Sequence, residues 1–217
     1  MQIMSPNKWC SALFAGVVLL GVGFSAQAYD QTSNSHQIDV QSYTTAELEQ
    51  LLAPIALYPD SLLTHILIAS TYPLEVIEAN RWRERFDYLD VDELEEKSQN
   101  KDWDPSVKAL LAFPTVLEKL SDELNWMQQL GDAFLEDEAR VLASIQSLRQ
   151  KADEAGNLSQ MDNVNVIREQ KTIIIEPART EVVYVPYYDT RVVYGRWHWA
   201  HHPPIYWHQP HYYTYYN

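Results

Sequence analysis

From residue 44 to residue 156, apolar side chains recur every three or four positions, and prolines and helix-capping residues interrupt the pattern at short intervals. A chain built this way makes several short amphipathic helices, each with one apolar stripe that must be buried against the others. Thr44 with Glu47 predicts a capping box opening a helix through Leu48, Leu51 and Leu52, which Pro54 ends. Asp60 is placed to cap a second helix carrying Leu62, Leu63, Ile66 and Leu67. Pro73 suits the first turn of a third, with Leu74, Ile77 and Trp82 as its stripe. Asp104-Pro105 reads as another start, leading into Val107, Leu110 and Leu111. The run Asp92-Glu93-Leu94-Glu95-Glu96 reads as a solvated helix face. Leu117, Leu120, Leu124, Met127 and Leu130, then Phe134, Val141, Ile145 and Leu148 after Gly131, predict a hairpin of two long helices.

Gly156-Asn157 ends this region and the texture changes. The β-prone runs Ile173-Ile174-Ile175, Val182-Val183-Tyr184 and Val192-Val193-Tyr194 are punctuated by Pro177, Pro186 and Gly195, which predicts a small three-stranded meander packed on the helices. The expected fold class is α+β: a mainly helical body of about six helices, a three-stranded β segment and an irregular tail. The tail, residues 196–217, holds five of the seven histidines, eight of the 26 aromatic residues and no acid. Rich in Trp, Tyr, His and Pro, it reads as a contact element separable from the core. The expected divisions are a leader at 1–28, a linker at 29–43, a helical domain at 44–156, strands at 157–195 and the tail at 196–217.

The leader is read from Lys8, the apolar run over 12–24 and Ser25-Ala26-Gln27-Ala28, the order of an export signal with cleavage near Ala28. The run contains three glycines and falls short of the roughly 20 apolar residues of a membrane span. The chain's one cysteine, Cys10, lies in this leader, so the expected mature protein has neither disulfides nor thiolate metal sites. Processing removes one basic residue and no acid, leaving 15 basic residues against 30 acidic. An exported chain of that charge repels phosphate polymers, and nucleic acid is set aside as a partner.

Three segments stand in a recognisable order: Leu52-Ala53-Pro54-Ile55-Ala56-Leu57-Tyr58-Pro59-Asp60, then Ala69-Ser70-Thr71-Tyr72-Pro73-Leu74-Glu75-Val76, then Trp103-Asp104-Pro105-Ser106-Val107-Lys108-Ala109-Leu110. With Gly131-Asp132-Ala133-Phe134-Leu135, Glu181-Val182-Val183-Tyr184-Val185-Pro186 and the stretch from Asp189 to Gly195, the chain resembles the bacterial exported-protein family known as domain of unknown function 3300. The resemblance covers about 150 residues from Thr45. It implies a signal peptide, a helical body, the strand repeat and a variable tail, and it brings no established activity or catalytic residues.

The sharpest chemical candidate in the residues is a metal site of His198, His201, His202, His208 and His211, since neutral imidazoles ligate copper, nickel or zinc. No cofactor is expected beyond such weak chelation. A competing candidate uses Trp197, Trp199, Tyr206, Trp207, Tyr212 and Tyr213 as stacking or interfacial groups for glycan strands, membrane headgroups or a protein groove. Asp102, Asp104 and Ser106 imitate a calcium loop, but Val107 stands where that loop turns on Gly and Phe113 where its Glu belongs, so a helix cap explains them better. His65 near Asp60 and Ser61 suggests a triad that no nucleophile motif supports. The expected function is therefore non-catalytic binding in the periplasm or envelope, to a protein, a polymer or the membrane surface. A metal-binding protein and a hydrolase of envelope polymer are the alternatives. The sequence sets no oligomeric state.

Overall fold

The computed structural model describes residues 42–179 and 183–207. The expected leader, the linker up to residue 41, and His208, His211, Tyr212 and Tyr213 lie outside the described residues. Nine α-helices are described: α1 Thr45–Leu52, α2 Asp60–Ala69, α3 Pro73–Arg85, α4 Val91–Ser98, α5 Pro105–Ala109, α6 Pro114–Asp122, α7 Leu124–Glu136, α8 Glu138–Glu154 and α9 Thr190–Val193. Two strands, β1 Val164–Glu169 and β2 Thr172–Pro177, accompany them. Among the described residues no helix is long and apolar enough to cross a membrane.

The caps act as local chemistry dictates. Thr44 and Glu47 close the expected capping box at α1, and Asp90 with Glu93 closes a second at α4. Asp104 accepts the Ser106 backbone N–H at 2.8 Å ahead of Pro105, which confirms the cap reading of that trio. The α8 helix ends at Gly156, whose φ of +77° suits a residue with no Cβ.

The expected two-helix hairpin over 117–148 is corrected to three helices. The chain breaks at Glu123 and at Asp137, whose carboxylate accepts the Arg140 N–H at 3.0 Å and so starts α8. Gly131, taken as the break, sits inside α7. It is there because a Cβ at that position would lie 2.3 Å from the Ser70 carbonyl oxygen at the end of α2. Glycine lets two backbones touch where any side chain would part them.

The core is continuous through the helices, with Leu52, Ile66, Leu117, Met127 and Leu130 essentially fully buried. Its unusual part is the irregular connection 53–59 between α1 and α2, every residue of which is buried. Buried irregular backbone needs hydrogen-bond partners from elsewhere. Arg149, 1 % exposed, supplies them: Nε donates to the Ala56 carbonyl at 2.8 Å and Nη2 to that of Tyr58 at 3.0 Å, while Nη1 pairs with Asp60 at 2.6 Å. The Tyr188 hydroxyl donates to the Ala53 carbonyl at 3.0 Å and accepts the Leu57 N–H at 3.3 Å; the Tyr194 hydroxyl also donates to Ala53. The segment 52–60 is thus held by side chains some 90 to 140 residues away in sequence.

The β segment departs from expectation. β1 and β2 form an antiparallel hairpin of two strands, with Glu169 opposite Thr172 and Val164 opposite Pro177. Gln170, at φ +52°, turns the chain between them. Only the Ile173-Ile174-Ile175 run is a strand as expected. Residues 183–189 have no regular structure, and Val192-Val193 lie in α9, because Asp189 caps a helical turn through the Arg191 N–H at 2.9 Å and buries Val193 and Tyr194. Packing and a cap override the strand preference of β-branched residues. β1 was missed: of its three apolar residues, Val164 and Val166 are only half-buried and Ile167 is exposed. The α8 side covers the free edge of β2, since the Gln146 amide accepts the Ile173 N–H at 2.8 Å and donates to its carbonyl at 3.2 Å.

Candidate functional site

After α8 the chain makes a 3-10 turn, Leu158–Gln160, and then reverses at Asn163, whose φ of +61° starts β1. This stretch puts the polar side chains of Asn157, Gln160, Asp162 and Asn163 along one wall of a groove of about 460 Å³. The rest of the lining comes from the irregular segment 184–189 with α9. Asn157 ties the walls together by donating from Nδ2 to the Val193 carbonyl at 2.8 Å. Tyr184, Tyr187 and Val192 in this part of the lining are exposed by 42, 49 and 64 %. A second, small cavity of about 30 Å³ lies between Pro54, Tyr58, Thr190 and Trp207, and it shares Pro186, Tyr187 and Tyr188 with the groove. The first and last of the sequence segments singled out above therefore meet here.

Among the described residues, the groove lining contains two carboxylates, Asp162 and Asp189, and no lysine or arginine. Asp189 is matched by Arg191 at 2.6 Å, and that hydrogen-bonded guanidinium holds its carboxyl below the usual range. Beneath the groove, burial pushes the hydroxyls of Tyr58, Tyr188 and Tyr194 above the ordinary phenol value. All three are neutral and unsuited to proton transfer near neutrality, and Tyr188 and Tyr194 brace the fold by donating to the Ala53 carbonyl.

The described part of the tail lies elsewhere than its composition suggested. Trp197, Ile205 and Trp207 are half-buried against the core. The Trp197 indole donates to the His202 carbonyl at 2.7 Å, and the Trp207 ring meets Trp126 edge-on with centroids 4.8 Å apart. Gln50 of α1 donates to the Pro203 carbonyl at 2.7 Å and Thr190 to that of Ile205 at 2.9 Å. Trp199 donates to the carboxylate of Glu49, which is 1 % exposed and also takes Lys151 and, at 2.8 Å, Ser147. Tyr206 lies under the Arg191 guanidinium at 4.0 Å. Residues 196–207 are thus a docked strap rather than a free arm.

Of the histidines, His198 and His201 are exposed and His202 half-buried. Among the described residues, no three His, Cys, Asp or Glu side chains stand close enough together to hold a metal ion. The suggested triad is not assembled around His65: Asp60 is engaged by Arg149, and burial depresses the His65 imidazole below its ordinary value while Asp104 offsets this in part. Sequence reasoning missed Tyr187, Asn157, Gln160 and Asn163. Their signal, two exposed tyrosines three residues apart that share a groove with a cluster of amides, becomes visible only when the segments are brought together.

A family described as "Protein of unknown function (DUF3300)" matches residues 44–217. The chain belongs to this family. The match includes both walls of the groove and runs past Gly195 through the tail, so the strap lies within the family region rather than after it. Among relatives, the "Uncharacterized protein YacH" of Escherichia coli strain K12 is 35 % identical over 197 residues, covering 76 % of this chain and 32 % of that protein. The chain therefore spans about a third of that relative's length. No solved structure matches.

Proposed function

We propose that this family member is an exported, non-catalytic binding protein of the bacterial cell envelope, and that its contact surface is the groove between residues 157–163 and 184–189. Export is supported by the Lys8, apolar-run and Ala26-Gln27-Ala28 pattern. Binding is supported by one observation above the others: Tyr184 and Tyr187, about half exposed, line a groove of about 460 Å³ together with the amide side chains of Asn157, Gln160 and Asn163. That volume falls in the range of roughly 300–1,000 Å³ common for ligand sites. Exposed tyrosines on a fixed scaffold offer large, rigid contact area at low conformational cost.

The tail's described tryptophans are engaged internally, so the groove takes the contact role that composition had given to them. The partner is an envelope protein or polymer.

The test is association of the purified full-length chain with isolated envelope fractions, set beside the Tyr184→Ala/Tyr187→Ala double variant. Cell fractionation checks export. The expected result is a periplasmic or envelope location, and association lost in the double variant at unchanged melting temperature. Equal association of both proteins would overturn the reading.

A further inference from the structure

We infer that the ligand of this groove is an uncharged, hydroxyl-rich glycan chain, an inference that rests on the groove being the contact surface. Three features of the lining select that chemistry. Tyr184 and Tyr187, 42 and 49 % exposed, line the groove, and a tyrosine side chain combines an apolar ring with a polar edge, the shape that packs against the C–H face of a sugar ring while leaving its hydroxyls to be bonded at the sides. Asn163 carries an amide that is both donor and acceptor, and Asn157 and Gln160, whose amide N–H groups bond to the Val193 and Gly156 carbonyls, add amide oxygens, so the lining is matched to hydroxyl and acetamido groups. Among the described residues the lining has no lysine or arginine and Asp162 takes part in no ion pair, while the neighbouring Arg191 guanidinium is engaged by Asp189 at 2.6 Å, so a phosphorylated or uronic polymer meets net repulsion.

A carboxylate such as Asp162 can accept from two neighbouring hydroxyls of one sugar. The site is also fixed before binding. Asn157 bridges to the Val193 carbonyl at 2.8 Å, and Asn163 is held at its positive φ by the turn into β1. A glycan docking there orders little of the protein, which keeps the cost of association low. The exposed positions of Gln160, Asp162, Asn163, Tyr184 and Tyr187 leave the groove open along its side, as a polymer chain requires.

Titration calorimetry on the full chain tests this with four probes: an N-acetylglucosamine tetramer, a β-linked glucose tetramer, a proline- and lysine-rich peptide and inorganic polyphosphate. At least one saccharide binds, polyphosphate does not, and Tyr184→Ala and Tyr187→Ala each weaken saccharide binding about tenfold or more. Asn163→Gly, which keeps the positive-φ turn while removing the amide, weakens it about threefold or more. All variants keep the parent melting temperature within a few degrees. Absence of saccharide heat, or saccharide binding unmoved by the tyrosine variants, overturns the inference. Peptide binding that Tyr184→Ala abolishes would overturn the glycan assignment while leaving the groove as the contact surface. Envelope association indifferent to both tyrosines would remove the groove reading itself.

Discussion

The Trp199 indole N–H donates to the Glu49 carboxylate, joining residues 150 positions apart in the chain. Burial pushes the Glu49 acid up, but hydrogen bonds from Lys151, Trp199 and Ser147 outweigh it and hold the group below its ordinary value of 4.5. The folded pKa is depressed, so the stabilisation is present above the ordinary carboxylate value and is lost as pH falls through the lower folded value. Urea unfolding from pH 7 to pH 3 is expected to show a steeper loss for the parent protein than for Glu49→Gln. At pH 7 that variant costs about 3 kcal/mol because Lys151 loses its charge partner. Parallel pH profiles would show that Glu49 is not held ionised by this cluster.

Truncation after Gly195 removes Trp197, Ile205 and Trp207 from the core surface and leaves Trp126 without its edge-on neighbour. Losing several half-buried apolar side chains amounts to several kcal/mol, which for a domain of this size lowers the melting temperature by about 10 °C or more. Differential scanning calorimetry measures it. A truncated chain melting with the parent would show the strap to be dispensable.

Arg149→Lys should destabilise by about 3 kcal/mol or more, although charge and length are nearly kept. Lysine cannot donate in one plane to the Ala56, Tyr58 and Ile173 carbonyls while meeting Asp60. Chemical denaturation of parent and variant gives the difference, and a loss under 1 kcal/mol would refute this account of the 53–59 connection.

Gly131→Ala adds a good helix former to the middle of α7 and should nonetheless destabilise. The new Cβ would stand 2.3 Å from the Ser70 oxygen and 2.8 Å from its carbonyl carbon, atoms of backbone that cannot turn aside. The expected cost is about 1–3 kcal/mol, against a propensity gain of roughly 1 kcal/mol. A stabilised variant would show that α2 and α7 can part freely.

Helix starts and stops were legible wherever the deciding chemistry is local. Thr44 with Glu47, Asp104 with Pro105 and Gly156 act within one turn of themselves, so the sequence shows them directly. Gly131 was misread because its reason lies on another helix, at Ser70. Val192-Val193 was misread for the same kind of cause: the strand preference is intrinsic, but Asp189 and burial against the core decide the helix. The tail's composition was plain, yet composition gives no direction. Tryptophan and tyrosine suit a partner's surface and the chain's own surface equally well.

The sequence by itself determined the helical body, its caps, the acidic balance and the family, because these depend on spacing and on neighbours within a few residues. Only the tertiary structure decided that the 53–59 connection is buried under Arg149, Tyr188 and Tyr194, that residues 196–207 are strapped to α1, and that Tyr184 and Tyr187 share a groove with the amides of Asn157, Gln160 and Asn163. Those relationships join positions tens to more than a hundred residues apart, where no local periodicity carries the signal and only the closing of the core brings the partners together.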